Sequence, residues 1–456
     1  MLLERVFLVK TNGIFHTPYK PAISAFDDLL GDFKTQCRKL IVPAAPMTPI
    51  EFGESYEGRK RELYIKAAIS LQSSPVKRSD SYLSSFMKVE KYNFTLKKDP
   101  VPRVIQPRSP RYNVEVGKYI RPIEKRLYKV INTIFEATTI CKGLNAVDRG
   151  HVISEKWHGF TDPVAVGIDA ARFDQHVSET ALKFEHSIYQ MFYPGCKELA
   201  MLLRWQLRNR GYVRQHDCNI KYKVDGNRMS GDMNTALGNC LLMSAMFYSF
   251  AKSVNIKYPS FVNDGDDGVI FIERKELYKL DTMPAYFKDL GFKLEVEEPV
   301  YELEKVVFCQ SQPVNLGDGT YLMVRDPRAA LAKDCLSIKP LDNKIVMEKW
   351  CAAVGMGGLS LTGAIPIWQD FYSSIYRSAN GAKPLTDPTL ETGLARLSKG
   401  MSRKFSPVTE ITRYSFYLAF DIFPAEQLAI EQYYRLVNVE YVSQEHIQRE
   451  VLLPGL

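Results

Sequence analysis

At 456 residues, with 45% hydrophobic and 25% charged side chains, the chain has enough apolar material for a sizeable core and is too long for one small domain, which excludes a disordered or fibrous protein. Lys plus Arg outnumber Asp plus Glu by 60 to 52, a net charge of +8, which suits a polyanionic partner without identifying one. Eight cysteines contain no Cys-x-x-Cys pair, so neither a zinc module nor a disulfide framework is indicated and a reducing compartment is expected.

Residues 1–90 read as Pro-containing loops with one basic helix, Glu57 to Leu71. From Lys97 to Arg126, lysines and arginines interleave with five prolines, too many for a helix, which predicts extended or looped backbone. A helix is expected after Pro122, with Leu127, Val130, Ile131, Ile134 and Phe135 on one stripe. Val164 to Ile168 reads as a buried strand ending at Asp169. Ser178 is a fitting N-cap for a helix running to Gln190 and stopped by Pro194-Gly195.

From Met233 to Tyr248 apolar side chains recur at helical spacing and also fill the opposite side, so that helix is expected to be buried nearly all round. Its apolar run, Cys240 to Ala251, is shorter than the roughly 18 residues a spanning helix needs, and the N-terminus lacks a signal-peptide core; the chain reads as soluble. Val262 to Ile272 reads as two strands around a Gly265-Asp266-Asp267 turn. Val306–Gln310 and Tyr321–Val324 are further strand candidates, joined through the turn Gly317-Asp318-Gly319. Beyond Asp334 the pattern is helical, clearest at Tyr414–Phe423 and Ala425–Val437. Gly355-Met356-Gly357-Gly358 has no Gly-Lys-Ser/Thr after it, so it reads as a helix-breaking turn and not a phosphate loop.

Chemistry concentrates in four places. Asp169 and Asp174 are five apart, a pattern expected about once by chance in a chain this long, so the strand ending at Asp169 is what gives it meaning. Gly265-Asp266-Asp267 is rarer, roughly 0.1 per chain of this size, and adjacent carboxylates repel unless a cation lies near them. Ser230-Gly231 is a flexible turn feeding the buried helix, on which Thr235 and Asn239 share a face and need polar partners. The basic stretch, with Lys97, Lys98, Arg103, Arg108, Arg111 and Arg121, carries guanidinium groups of the kind that grip triphosphate oxygens bidentately.

In this order the motifs resemble the palm of viral RNA-dependent RNA polymerases. The strings Gly167 to Ser178, Arg228 to Asn239 and Arg103 to Val114 resemble tombusvirus-type replicases, umbravirus and umbra-like relatives included, and the similarity can be followed from about Gly53 to Asp334. The resemblance implies an α+β, right-hand polymerase fold with an antiparallel palm sheet: fingers at 1–160 and 179–225, palm at 161–178 and 226–320, thumb at 321–456. It implies template-directed RNA synthesis from nucleoside triphosphates by two-metal-ion nucleotidyl transfer, replicating a positive-strand RNA genome.

By the same resemblance Asp169, Asp266 and Asp267 would hold Mg²⁺ or Mn²⁺. Asp174, Ser230, Gly231, Thr235 and Asn239 would read the ribose, and Lys98, Arg103 and Arg108 would hold the triphosphate. Lys293 would protonate the leaving pyrophosphate, with Lys288 an alternative that spacing does not separate. Phe308-Cys309-Gln310-Ser311 resembles the family's primer-grip hairpin. Family replicases carry membrane anchors in an N-terminal extension and none is found here. The chain is therefore expected to be a polymerase portion, or to be recruited to membrane-associated complexes in the host cytoplasm by a membrane-anchored viral auxiliary protein and host factors. A reverse transcriptase, or a catalytically silent RNA-binding factor on the same scaffold, fits the intact motifs less well.

Overall fold

The computed structural model describes residues 1–11, 13–91, 100–215, 218–387, 390 and 393–443. They form two compact units. The first comprises Met1–Lys88, Asp99–Lys142 and Asp162–Pro299; the second begins with Val89 and takes in Gly143–Thr161 and Val300 onward. The class is α+β, with three antiparallel sheets and one mixed sheet.

Besides a small hairpin, β1 (Val9–Thr11) and β2 (Ile14–His16), the first unit holds two four-stranded sheets. One orders β3 (Leu83–Met87), β4 (Val104–Ile105), β6 (Arg208–Gln215) and β7 (Cys218–Asp225) as β4-β3-β6-β7, with β3 and β6 parallel. The other orders β5 (Pro163–Ala170), β8 (Ser260–Asn263), β9 (Asp267–Glu273) and β10 (Leu294–Val296) as β10-β5-β9-β8, antiparallel throughout. Val164, Val166, Ile168, Phe261, Ile270 and Ile272 pack from this sheet into one core with the helices. The helix Thr235–Ser253 runs through that core with Leu237 and Gly238 to Phe247 buried without interruption, as its two-sided apolar pattern predicts.

Several expectations are corrected. The stretch 110–126 is helical, not extended: one helix runs Pro110–Ile134 straight through Pro122. Pro110 occupies the first turn, where a missing N–H costs nothing, and Ser109 caps it. Pro122 has no N–H for the carbonyl four residues back, but that carbonyl, of Lys118, accepts from the Met47 N–H at 2.9 Å, which offsets the usual penalty. In the N-terminal region a second long helix, Ala25–Leu40, buries Phe26, Leu30, Phe33 and Cys37. The basic helix of that region spans Gly58–Ser73.

In the second unit, β11 (Ser311–Asn315) and β12 (Tyr321–Arg325) form a hairpin. The strand starts at Ser311 and not at Val306, because Cys309 and Gln310 both take positive φ, 52° and 61°, in a tight turn closed by Phe308 and Ser311. The segment 355–358 is not a turn. It lies inside the helix Lys344–Thr362, where a Cβ on Gly355 would meet the Tyr376 Cβ at 2.6 Å and one on Gly358 would overlap the Tyr372 ring. Those glycines let the helix Trp368–Arg377 lie close. The helices near the C-terminus span Glu410–Phe420 and Pro424–Leu436.

Candidate active site

The acidic residues meet at one end of the antiparallel sheet. β5 and β9 pair with Asp169 directly opposite Asp267, and because opposed residues of an antiparallel pair project to the same face, both carboxylates leave the sheet together. Asp266, exposed, sits beside them at the tip of the β8–β9 hairpin. The turn is fixed from below by Asn263, which is fully buried. Its side-chain amide donates to the Cys240 carbonyl at 3.0 Å and to Ser244 Oγ at 2.9 Å, and its Oδ1 accepts from the Gly265 N–H at 2.6 Å. Gly265 takes φ 106°, open to glycine alone without strain. Lys142 flanks the turn, 2.7 Å from Asp264.

Asp174 lies in the short helix Phe173–His176, reached through Arg172 in the left-handed region. The residue keeps some surface exposure, but its carboxyl group is enclosed. Burial pushes it up to about 6, against the pull of the Asn239 hydrogen bond and the Arg228 charge. Asn239 Nδ2 donates to Asp174 Oδ1 at 2.9 Å, while Asn239 Oδ1 accepts from Arg228 Nε at 3.1 Å. The two bonds fix which way the amide points. Arg228 is itself wholly buried and paired with Glu185, with Nη1 to Oε1 at 3.0 Å, and Asn234 donates to the same Oε1 at 2.7 Å. Burial would raise the Glu185 carboxyl, yet the Arg228 guanidinium holds it below the ordinary range. The close fit of Gly238 against both groups leaves no room for a Cβ.

The other expected residues divide. Gly231 allows the backbone of Pro107 to approach in a parallel bridge, where a Cβ would stand 2.5 Å from the Pro107 Cα. Ser230 Oγ accepts from the Gln106 N–H at 3.1 Å. The Thr235 hydroxyl is engaged inside its own turn, by the carbonyls of Met229 at 2.7 Å and Asp232 at 3.0 Å, so this pair of residues holds the loop's shape while Asn239 is the member that reaches Asp174. The Lys293 carbonyl accepts from the Ala171 N–H at 2.9 Å, which lodges it beside the Asp169–Asp174 segment. Lys288 packs over the Tyr19 ring at 5.0 Å. Arg103 is exposed beside β4, and Lys97 and Lys98 lie outside the described residues.

Arg108 lies among protein partners. Its side chain is wholly buried, bonded to both Asp232 carboxylate oxygens, to the Ser81 carbonyl at 2.6 Å and to Asn209 Oδ1 at 2.8 Å. Arg111 bonds Ser70 Oγ at 2.6 Å, and Arg121, exposed, lies over the Tyr56 ring at 4.9 Å. Sequence reasoning passed over Asn263, Glu185 and Arg228. For Asn263 in its strand and Glu185 in its helix the available signal was a polar residue among apolar neighbours, which burial obliges to find a partner; Arg228 lies in a loop and carried no such signal.

Among the described residues no three His, Cys, Asp or Glu side chains close round a single ion. The carboxylate oxygens of Asp169, Asp266 and Asp267 are hard ligands of the kind Mg²⁺ takes one or two at a time. Among the described residues no helix is long and apolar enough to cross a membrane, and no two cysteines form a disulfide.

The paired-aspartate hairpin thus lies against a strand-end aspartate, with the Asn239–Asp174 hydrogen bond made by the neighbouring segments. The chain belongs to the family described as viral RNA dependent RNA polymerase, whose model matches residues 1–442. It is 42% identical over 441 residues to the RNA-directed RNA polymerase of Turnip crinkle virus, covering 95% of this chain and 56% of that protein. It is 44% identical over 442 residues to that of Tobacco necrosis virus strain A (96% and 60%) and 42% identical over 446 residues to that of Melon necrotic spot virus (96% and 56%). The chain thus spans somewhat over half the length of these relatives. Membership implies the right-hand polymerase fold.

Proposed function

We propose that this chain is the polymerase portion of a positive-strand RNA plant virus replicase and synthesises RNA from nucleoside triphosphates on an RNA template. The observation that carries the reading is the register of β5 and β9, which sets Asp169 against Asp267 with Asp266 beside them. In this reading Asp169 and Asp266 hold Mg²⁺ or Mn²⁺, with Asp267 in support. When bound, such ions activate the attacking 3′-hydroxyl and neutralise charge on the leaving pyrophosphate.

The remaining work falls to side chains. Asn239 and Asp174 read the ribose hydroxyls, on a loop whose shape Ser230, Gly231 and Thr235 maintain. Arg103 and Lys98 hold the triphosphate, and Lys293 supplies the proton to pyrophosphate. Arg108 acts at a distance, by anchoring Asp232 under the same loop. Positioning and charge neutralisation dominate phosphoryl transfer, so no covalent nucleophile is required.

We assign fingers to 1–160 and 179–225, palm to 161–178 and 226–320, and thumb to 321–456. The partners are RNA template, nascent strand and nucleoside triphosphates, with recruitment to membrane-associated complexes in the host cytoplasm by a membrane-anchored viral protein. The test is incorporation of labelled ribonucleotides by the purified chain on a defined RNA template with Mg²⁺. Incorporation that proceeds equally with deoxynucleotides alone would favour reverse transcription and overturn this reading.

A further inference from the structure

The mixed sheet of the first unit has two unlike faces. The inner face is apolar, with Leu83, Val104, Val213 and Tyr222 packed on Val6 and Met229; the Tyr222 hydroxyl is bonded to Ser85 Oγ at 2.6 Å and Gln106 Nε2 at 2.8 Å. Gly211, opposite Tyr222 in the register, leaves the space that ring fills. The outer face is cationic. Alternation along β6 and β7 puts Arg210, Tyr212 and Arg214 outward, and the register places Lys223 across from Arg210 and Lys221 across from Tyr212. Arg210, Arg214, Lys221 and Lys223 are all exposed, and among the described residues none of the four has a carboxylate partner.

Aromatic rings lie among these charges. Tyr82 and Tyr212 stand 6.1 Å apart, centroid to centroid, and the Arg210 guanidinium lies 5.5 Å over Tyr82 and bonds its hydroxyl at 3.2 Å. Phe86, outward on the neighbouring strand β3, is 53% exposed. Four unneutralised cations crowded on one pleated face are a cost that folding alone does not explain, because like charges opposite one another destabilise a sheet. A polyanion removes that cost.

We infer that this face binds single-stranded RNA outside the acidic centre, with its phosphates along Arg210, Arg214, Lys221 and Lys223 and its bases against Tyr212 and Phe86. Alternate residues on a strand recur about every 6.6 Å, so the cations form a track for an extended backbone, and every base has a π-face for the rings. A duplex fits less well because its base faces are covered. The choice of RNA over DNA rests on the polymerase reading; the charge and ring arrangement does not.

The test uses the full chain and a fluorescent, unstructured oligouridylate, without nucleotides or Mg²⁺, in the Asp266→Asn background so that binding is read apart from catalysis. The set Arg210→Ala, Arg214→Ala, Lys221→Ala, Lys223→Ala is expected to weaken binding about tenfold or more and to flatten the slope of log affinity against log salt by about 2 to 3. Tyr212→Ala should weaken binding about fivefold with the salt slope unchanged. The charge-conserving set Arg210→Lys, Arg214→Lys, Lys221→Arg, Lys223→Arg should bind within about twofold of the parent, which guards against a folding defect. Unchanged RNA affinity and salt slope in the alanine set would overturn the inference, as would a loss confined to binding of phosphatidylserine vesicles. A failed incorporation assay with these binding results intact would remove the polymerase reading and leave the surface standing.

Discussion

Asp169 on β5 and Asp267 on β9 are direct register partners in an antiparallel pair. Opposed Cα atoms in such pairs lie about 4.5–5.5 Å apart, so two carboxylates share one face at a separation where their repulsion is appreciable. Addition of Mg²⁺ is therefore expected to raise the melting temperature of the wild-type chain, since an ion that binds only the folded state stabilises it by mass action. Asp169→Asn should melt higher than wild type in EDTA and should no longer respond to Mg²⁺. Differential scanning calorimetry with and without chelator reads both; an Asp169→Asn chain that still gains stability from Mg²⁺ would remove that residue from the metal site.

Asn239 points its amide nitrogen at Asp174 because Arg228 holds its oxygen. Removing it in Asn239→Ala leaves the enclosed Asp174 without its donor and the ribose without one of its readers. The expected result is a fall in the preference for ribonucleotides over deoxyribonucleotides of about 10-fold or more, the scale set by one lost hydrogen bond to a charged group. Relative incorporation of UTP and dUTP under competition measures it, and an unchanged ratio would place sugar selection elsewhere.

The Glu185–Arg228 pair is fully buried. Arg228→Met strands a carboxylate in the core and is expected to cost about 3–5 kcal/mol, whereas Glu185→Gln combined with Arg228→Met should recover part of that loss. Urea denaturation of the two variants provides the comparison. Equal destabilisation in both would show that the pair acts through packing and not through charge.

Two buried groups give opposite pH dependences in one window. Burial holds His186 down at about 4, with Glu185, Arg228, Gln206 and Asp232 around it, so on acidification the unfolded chain takes up a proton that the folded chain refuses. Its stabilising contribution, at most about 3 kcal/mol, is present above pH 6.5 and is lost as pH falls toward 4. Asp174, raised to about 6, does the reverse: the folded state keeps the proton more tightly, so stability is gained as pH falls from about 6 toward 3.8. Relative to wild type, His186→Gln should therefore be less sensitive to acid between pH 6.5 and 4, and Asp174→Asn more so. Denaturation midpoints at pH 5 and pH 7 decide, and shifts of the same sign in both variants would contradict the assignment.

Much of the centre was legible because its residues are close together in sequence and carry turn chemistry: the Gly265-Asp266-Asp267 hairpin, the strand ending near Asp169, the Ser178 cap and the helix buried on all sides. What escaped depends on partners distant in the chain. Pro122 sits inside a helix because Met47 takes the carbonyl it would orphan, and Gly355 and Gly358 sit inside another because Tyr376 and Tyr372 need the room. The charge of Arg108 is visible in sequence, whereas the Asp232 that neutralises it lies 124 residues away.

The central claim is that the carboxylates around the β8–β9 turn carry out nucleotide addition. Asp266→Asn changes one exposed side chain and leaves the turn's anchor, Asn263, in place. Incorporation of labelled UTP on an adenylate-rich RNA template should fall to background in this variant, while its affinity for the template stays within about twofold of wild type, since removing one negative charge alters phosphate contacts little. Incorporation at the wild-type rate would contradict the account.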